Sequence, residues 1–428
     1  MRVKQLKVSV SDIAIGMYVC ALDRPWEQTP FPVHGFSIRE PSELKQLKAH
    51  CQFIYIDPDK GVSLEVGTDA DDRASRFRMK LAPVIANTRV YAEVIGLEDE
   101  MARAEKVYKQ LLNETDLMVN QAINDCLNSI NRLKIVARDM VESMVANPDA
   151  LMWLSQEGKA KERPYQYLVC TAVWSVLMGR HLGLSRGELI ILALGALLKD
   201  IGKARMAKSL LGQPAYQPEF VDKGVHMLRS IPSVPPKLIN IVKSHRERLN
   251  GHGMPQGLQG DEIFLLGKIV GLATFYEETI RPHDAQYMVQ PSQVVSRLYE
   301  VRDSEFQGDL VAEFIRATGL YATGTLVQLS TGAIALVAEQ NYERRLKPKV
   351  VIVGDTAGKL LKKVEVFDLF EDEQRKKKIL DSGKKRSSKT EKIDIVQDLS
   401  LADYQLDLQA IREQGIKNIT KKSFFSFF

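Results

Sequence analysis

Residues 197–206, with the sequence LLKDIGKARM, place ionisable side chains directly after an apolar run. The ten residues from 189 to 198 are all apolar or small, and they lead into Lys199, Asp200 and Lys203. A segment that is apolar on every side is typical of a buried helix, and ten residues are too few to span a bilayer. Burying Lys199 and Asp200 is costly unless they pair with each other or contact a ligand. The cluster is therefore either the floor of a functional site or a structural ion pair.

A second segment combines basic residues with turn-forming residues. Residues 245–258 read HRERLNGHGMPQGL and follow an apolar stretch at 238–242. Gly251, Gly253 and Pro255 predict a tight loop, because Gly tolerates positive φ and Pro fixes φ.

Together these segments resemble the HD-GYP phosphodiesterases, a bacterial branch of the HD superfamily that hydrolyses cyclic di-GMP. The family pattern reads roughly HDIGK, HHExxDGxGYP and an ADVYDALTSDRP-like helix. The same places here read KDIGK, HRERLNGHGMP and, at 272–282, LATFYEETIRP. The stretch GMYVCALDRPWEQTPFPVHGF resembles part of the small N-terminal domain that often precedes HD-GYP, and residues 323–353 resemble the strand-rich segment that often follows it. The resemblance covers about residues 1–370.

The resemblance implies a binuclear or trinuclear Fe or Mn centre, whose metals bind imidazole and carboxylate ligands and activate a water molecule. When the motifs are aligned, two of the family's ligand positions are retained in this sequence, Asp200 and His245. The other matched positions are substituted, at Tyr167, Lys199, Phe220, Arg246 and Thr274. Two ligands do not close a catalytic centre, and no cysteine lies in the motifs to supply another. We therefore expect no metal cofactor and no catalytic residue beyond the Asp200–His245 remnant.

The substitutions also add positive charge. Lys199 and Arg246 stand where the family has imidazoles, Lys203 matches the Lys of HDIGK, and Arg281 matches an Arg that helps to hold the dinucleotide phosphates. The resemblance thus implies a ligand-binding group of four cations that could hold an anion without metal. The alternative is that Lys199 simply pairs with Asp200 or Glu247 and fills the vacated site.

Met254 replaces the Tyr of the GYP motif. In the family this loop is linked to contacts with GGDEF-type cyclases, and Met is a flexible apolar contact residue. Gly253, Met254 and Pro255 are therefore the candidate partner-contact loop. The alternative is a loop with a purely structural role.

Length, cysteine content and hydropathy describe an ordinary intracellular protein. A chain of 428 residues is long enough for two or three domains. Its four cysteines are scattered without a CxxC pair, which fits a reducing compartment and argues against a zinc cluster or a disulfide framework. The N-terminus lacks the apolar core of a signal peptide, and no later run suits a membrane span. We expect a cytoplasmic protein.

The formal charge of +5 is concentrated in one segment. Residues 375–392 contain nine Lys or Arg and two acidic residues, so this segment carries +7 and the rest of the chain −2. The segment predicts a solvated, disordered tether, and it is the only place where we expect contact with nucleic acid or a membrane. Because the tether is polar, removing residues 375–428 is expected to cost no core.

The predicted fold class is mainly α, with a helical HD-type domain, a small β-rich N-terminal domain and a short C-terminal β segment. Apolar residues at helical spacing from about 99 to 145 form a stripe, which is either an internal packing surface or a homodimer interface. The expected domains are a β-rich accessory domain at 1–66, a helical connector at 67–150, a degenerate HD-GYP-like domain at 151–316, a β-rich segment at 317–370 and, at 371–428, the tether with a short helix near Leu399–Ile416.

The function expected from these features is that of a non-catalytic or strongly impaired HD-GYP protein. It would act as a regulator in bacterial cyclic-dinucleotide signalling, through cyclic di-GMP or a related nucleotide, or through a GGDEF-type or other signalling protein. One alternative is an active cyclic di-GMP phosphodiesterase with an atypical metal site. Another is an adaptor that attaches to nucleic acid or membrane through the basic tail.

Overall fold

A small antiparallel sheet forms near the N-terminus. The computed structural model describes residues 6–11, 13–24, 29, 31, 35–38, 41–56, 91, 95–121, 126–157, 164–206, 218–282, 288–342, 344–381, 392–404 and 406–419. The first elements are β1 (Leu6–Ser9), β2 (Tyr18–Leu22), β3 (Phe36–Ser37), α1 (Pro41–His50) and β4 (Phe53–Ile56). The strand order is β1-β4-β2-β3, and Val19, Phe36, Leu47 and Ile54 form a separate fully buried core.

A large helical body follows. Its helices are α2 (Leu97–Gln121), α3 (Cys126–Ala146), α4 (Pro148–Gln156), α5 (Gln166–His181), α6 (Arg186–Leu198), α7 (Glu219–Arg229), α8 (Pro236–Ser244), α9 (Leu265–Ile280), α10 (Pro291–Val301) and α11 (Gly308–Thr318). Helix α6 begins at a capping box, in which Ser185 and Glu188 each accept a hydrogen bond from the other's backbone N–H. Helices α5 and α6 are buried on nearly every face and pack against each other and α9.

A second antiparallel sheet closes one side of the helical body. It consists of β5 (Leu326–Leu329), β6 (Ile334–Glu339), β7 (Lys349–Gly354), β8 (Leu360–Asp368) and β9 (Ile395–Asp398). Its order is β8-β7-β6-β5-β9, and the β5–β6 hairpin turns at Gly332, whose φ is +89°. The predicted fold class is confirmed. Within the described ranges, every helix is too short or too polar to cross a bilayer.

The C-terminal segment is more ordered than the expected tether, both in the first part of its basic run and after it. Residues 369–381 form α12 (Leu369–Asp381), and after residues 382–391, which lie outside the described part of the chain, β9 pairs with β5. The final helix, α13 (Leu408–Ile419), begins later than predicted and packs on β7, β8 and α2. Its Ile411 and Ile416 are buried in the main core. The expectation that the tail adds no core was wrong. It rested on the polar composition of the basic run, whereas the two buried isoleucines lie beyond that run in an amphipathic helix.

Candidate ionic site at Asp200

Asp200 lies where the buried helix α6 ends and a 3₁₀ turn, Ile201–Arg205, begins. One oxygen of its carboxylate, Oδ2, accepts three hydrogen bonds. Lys203 Nζ donates at 2.8 Å, Tyr167 Oη at 2.9 Å and Lys199 Nζ at 3.1 Å. Of the two amines, Lys199 is completely buried, whereas the Lys203 side chain is 30% exposed. The structure thus forms the ion pair that was the alternative to an open phosphate-binding site.

Burial and neighbouring charge act against each other on these groups. Burial alone would raise the pKa of Asp200, but the ammonium groups of Lys199 and Lys203 outweigh it, and the pKa lies well below its usual value. Burial lowers the pKa of Lys199, although the Asp200 carboxylate opposes this. Burial, followed by the charge of Asp200, raises the pKa of Tyr167 well above its usual value, so its hydroxyl stays a donor.

The 3₁₀ turn is pressed against α7 at Gly202. A Cβ atom on Gly202 would lie 1.8 Å from the Phe220 carbonyl oxygen, so no other residue fits without movement of the backbone. This close approach brings the Phe220 ring beside the site, with the Lys203 ammonium 5.1 Å from its centroid. The Tyr167 ring is 4.9 Å from the Lys199 ammonium. Two aromatic rings therefore lie at positions where the family pattern has metal ligands.

His245 completes the cluster from the end of α8. Its side chain is fully buried, and its Nδ1 donates to the Val242 carbonyl oxygen at 2.8 Å, which fixes the neutral tautomer. Burial lowers the pKa of His245 to about 4. Its Nε2 faces Asp200 Oδ1 at 3.7 Å, too far for a hydrogen bond, and both atoms are buried without a hydrogen-bond partner.

The remaining predicted cations belong to other ion pairs. Arg246 binds Glu278 in a bidentate pair, at 2.9 Å and 2.5 Å. Arg281 binds Glu277, one turn earlier on α9, and donates to the Ser155 carbonyl oxygen at 2.6 Å. Thr274 is buried on the same helix, one turn before Glu278. The structure thus brings Tyr167, Lys199, Lys203, Phe220 and His245 around Asp200. It places Arg246 and Arg281 in two further ion pairs.

The glycine-rich loop is held by Glu247, which the sequence offered only as a possible partner of Lys199. The buried Glu247 accepts backbone hydrogen bonds from Gln256 at 2.8 Å and Leu258 at 3.0 Å. A Cβ atom on Gly253 would collide with the backbone of Arg248, 2.2 Å away, and the Met254–Pro255 peptide is cis. The Glu of the HHE motif, retained in HRER, was the signal that could have identified Glu247.

These residues do not fit a binuclear metal centre. Among the described residues, no group of three or more His, Cys, Asp and Glu could hold a metal ion. Asp200 and His245 offer one free atom each, and the other Asp200 oxygen is already bound by two ammonium groups. An ammonium group has no lone pair to offer a metal.

Two family models match this chain. Residues 153–309 match the HD domain, and residues 5–130 match DUF3391, a domain of unknown function. The cyclic di-GMP phosphodiesterase PA4108 of Pseudomonas aeruginosa is 24% identical over 374 residues, which covers 85% of this chain and 88% of that protein. The 3'3'-cGAMP-specific phosphodiesterase 3 of Vibrio cholerae is 31% identical over 117 residues, 25% of each chain. The solved structure of Bd1817, an HDG"Y"P protein from Bdellovibrio bacteriovorus, covers 73% of this chain and 98% of its own, with a TM-score of 0.44 and 19% identity.

Proposed function

From the premise that this chain carries an HD domain at residues 153–309 behind a DUF3391 domain, we propose that it is a non-hydrolysing regulator in cyclic-dinucleotide signalling. Its relatives named above are phosphodiesterases of cyclic di-GMP and 3'3'-cGAMP, which supports this class of ligand. The observation that carries the proposal is the Asp200 carboxylate, which is bound by Lys199 and Lys203 in place of metal ions. Without a metal-bound hydroxide, these residues provide no nucleophile at neutral pH.

The proposed mode of action is binding. Lys203 is the most exposed of the four cations, and its ammonium lies 5.7 Å from the Tyr167 ring centroid and 5.1 Å from that of Phe220. A partly exposed ammonium group suits the phosphate of a nucleotide. The loop at Gly253, Met254 and Pro255, which Glu247 holds in place, is the proposed contact for a signalling protein such as a GGDEF-type cyclase.

One set of measurements on the purified full-length chain tests the proposal. We expect well under one Fe, Mn or Zn per chain and no turnover of cyclic di-GMP above background. Turnover that is lost in Asp200→Ala would overturn the non-catalytic assignment. Near-stoichiometric metal that survives mild chelation would contradict the ionic cluster.

Calorimetry with cyclic di-GMP tests the binding mode. We expect affinity that falls with added salt, and Lys203→Ala should weaken it by about tenfold, as expected for the loss of a charge-assisted contact. Lys362→Ala, which removes an exposed lysine on β8, is the matched control and should change nothing. If no cyclic dinucleotide binds even at low salt, the site is structural and the loop remains as the proposed interaction surface.

A further inference from the structure

Two buried acceptor atoms face each other in the Asp200 cluster. Asp200 Oδ1 and the neutral His245 Nε2 lie 3.7 Å apart, and neither has a hydrogen-bond partner. Both atoms carry lone pairs, so their proximity brings no hydrogen bond and leaves two desolvated acceptors unsatisfied. A divalent ion, with ligand distances of about 2.0–2.2 Å, could reach both atoms at this separation.

The other Asp200 oxygen, Oδ2, is already bound by the ammonium groups of Lys199 and Lys203. These two lysines differ in how deeply they are buried. Lys199 is completely buried beneath the Tyr167 ring, so its ammonium cannot leave without unfolding part of the site. Lys203 is 30% exposed and can turn towards solvent. A fixed positive charge at this distance from Asp200 repels a second cation and neutralises the carboxylate that would attract it.

We propose that Lys199 is the residue that keeps divalent metal ions away from Asp200 and His245, and that an uncharged side chain at position 199 opens this pair to one divalent ion. Lys199→His adds an imidazole at the family's own ligand position and supplies a third donor. Lys199→Met removes the charge and adds no donor. The inference rests on the proposed metal-free site and identifies the residue that enforces it.

The test titrates Mn²⁺ into the full-length protein, following the free Mn²⁺ signal by electron paramagnetic resonance, with Zn²⁺ calorimetry as a second probe. We expect Lys199→His to bind one ion at least about tenfold more tightly than the wild type, and Lys199→Met to show a smaller gain. Lys203→Met is the matched control, because it removes an ammonium from the same carboxylate oxygen while Lys199 remains. It should leave the affinity close to that of the wild type.

The double variant Lys199→His with Asp200→Asn should lose the gained site, which separates it from adventitious surface binding. The proposal is overturned if Lys199→His folds like the wild type by circular dichroism and gains no affinity, or if Lys203→Met gains as much. If Lys199→His does not fold, the metal affinities of Lys199→Met and Lys199→Gln decide the question, and the absence of a gain in both would overturn the proposal. Failure of this inference can be distinguished from failure of the proposed function. Turnover by the wild type tests the proposed function, whereas the metal affinity of the variants tests the role of Lys199.

Discussion

His245 and Asp200 lie side by side and both have a lowered pKa, but for different reasons. The buried imidazole stays neutral, with its pKa lowered to about 4 by burial, while the lysine charges keep the Asp200 carboxylate ionised. The cluster is therefore sensitive to acid at His245 before it is sensitive at Asp200. This difference can be measured through the stability of the protein.

Acidification should remove stability through His245. Between pH 6.5 and about 4, the unfolded chain binds a proton at this imidazole that the folded chain does not, so the free energy of unfolding falls as the pH falls. The loss from this residue approaches about 3 kcal/mol at the acid end of the window. Chemical denaturation across the window should show His245→Gln, which cannot titrate, losing less stability than the wild type. Parallel pH profiles for the two proteins would contradict the assignment.

The sequence predicted that Lys199, Lys203 and His245 lie near Asp200, because the motifs fix their order and spacing. It also grouped Arg246 and Arg281 with them, and the structure pairs these two arginines with Glu278 and Glu277 instead. The sequence did not predict these partners. Arg246 binds Glu278, 32 residues away, and only the packing of α8 against α9 brings the two together. The pair of Arg281 with Glu277 was within reach of sequence reasoning, since the two are one helical turn apart.

At the scale of secondary structure, the contact between the 3₁₀ turn and α7 decides the shape of the site. The backbone of Gly202 lies directly against that of Phe220, and a side chain at 202 would push the turn away from α7. The same movement would displace Lys203, which follows Gly202 in the turn.

Gly202→Ala should cost about 1–3 kcal/mol of folding stability, the range typical of overpacking a close contact. The matched control is Gly187→Ala, because Gly187 is exposed in α6 and a Cβ there meets nothing within 4 Å. That change should be neutral or stabilising by up to about 1 kcal/mol. Thermal denaturation of both variants gives the comparison. Equal melting temperatures would mean that the turn and α7 separate easily.

The sequence predicted the buried helix α6, since an apolar run of ten residues is a local signal. It missed β9, because Ile395–Asp398 becomes a strand only by pairing with β5, about 70 residues earlier. Local pattern carries no signal for a partner at that distance. The tail was predicted to be disordered from the composition of its basic run. That composition carries no information about the packing of Ile411 and Ile416, which follow the run and are core residues.

At the scale of the whole molecule, the C-terminal segment connects parts of the chain that are far apart in sequence. Asp398 accepts hydrogen bonds from the backbone N–H and the hydroxyl of Ser292 at the start of α10. Arg412, which is almost fully buried, binds Glu157 at 2.6 Å and also binds Glu105. The close fit of α13 on the sheet is visible at Gly415, where a Cβ would lie 2.8 Å from a methyl of Val351.

Deleting residues 392–428 should therefore destabilise the helical body by several kcal/mol. Burial of Ile411 and Ile416 is worth about 1.5–3 kcal/mol each, and loss of Arg412 leaves two carboxylates without their partner. Deleting only residues 420–428 is the control, since that change leaves every described tail contact in place. Calorimetric melting of the two truncated proteins measures the difference. An unchanged melting temperature after the longer deletion would show that α13 contributes nothing to the body.

The Arg412 ion pairs can form only late in the synthesis of the chain. Glu157 and Glu105 precede Arg412 by 255 and 307 residues. At a synthesis rate of about 5–20 residues per second, the two carboxylates wait roughly 10–60 s for their partner. A nascent chain released before that point has α2 and α4 but no α13 to cover the core. Chains that end before α13 should therefore be cleaved by proteases more readily than chains that contain it.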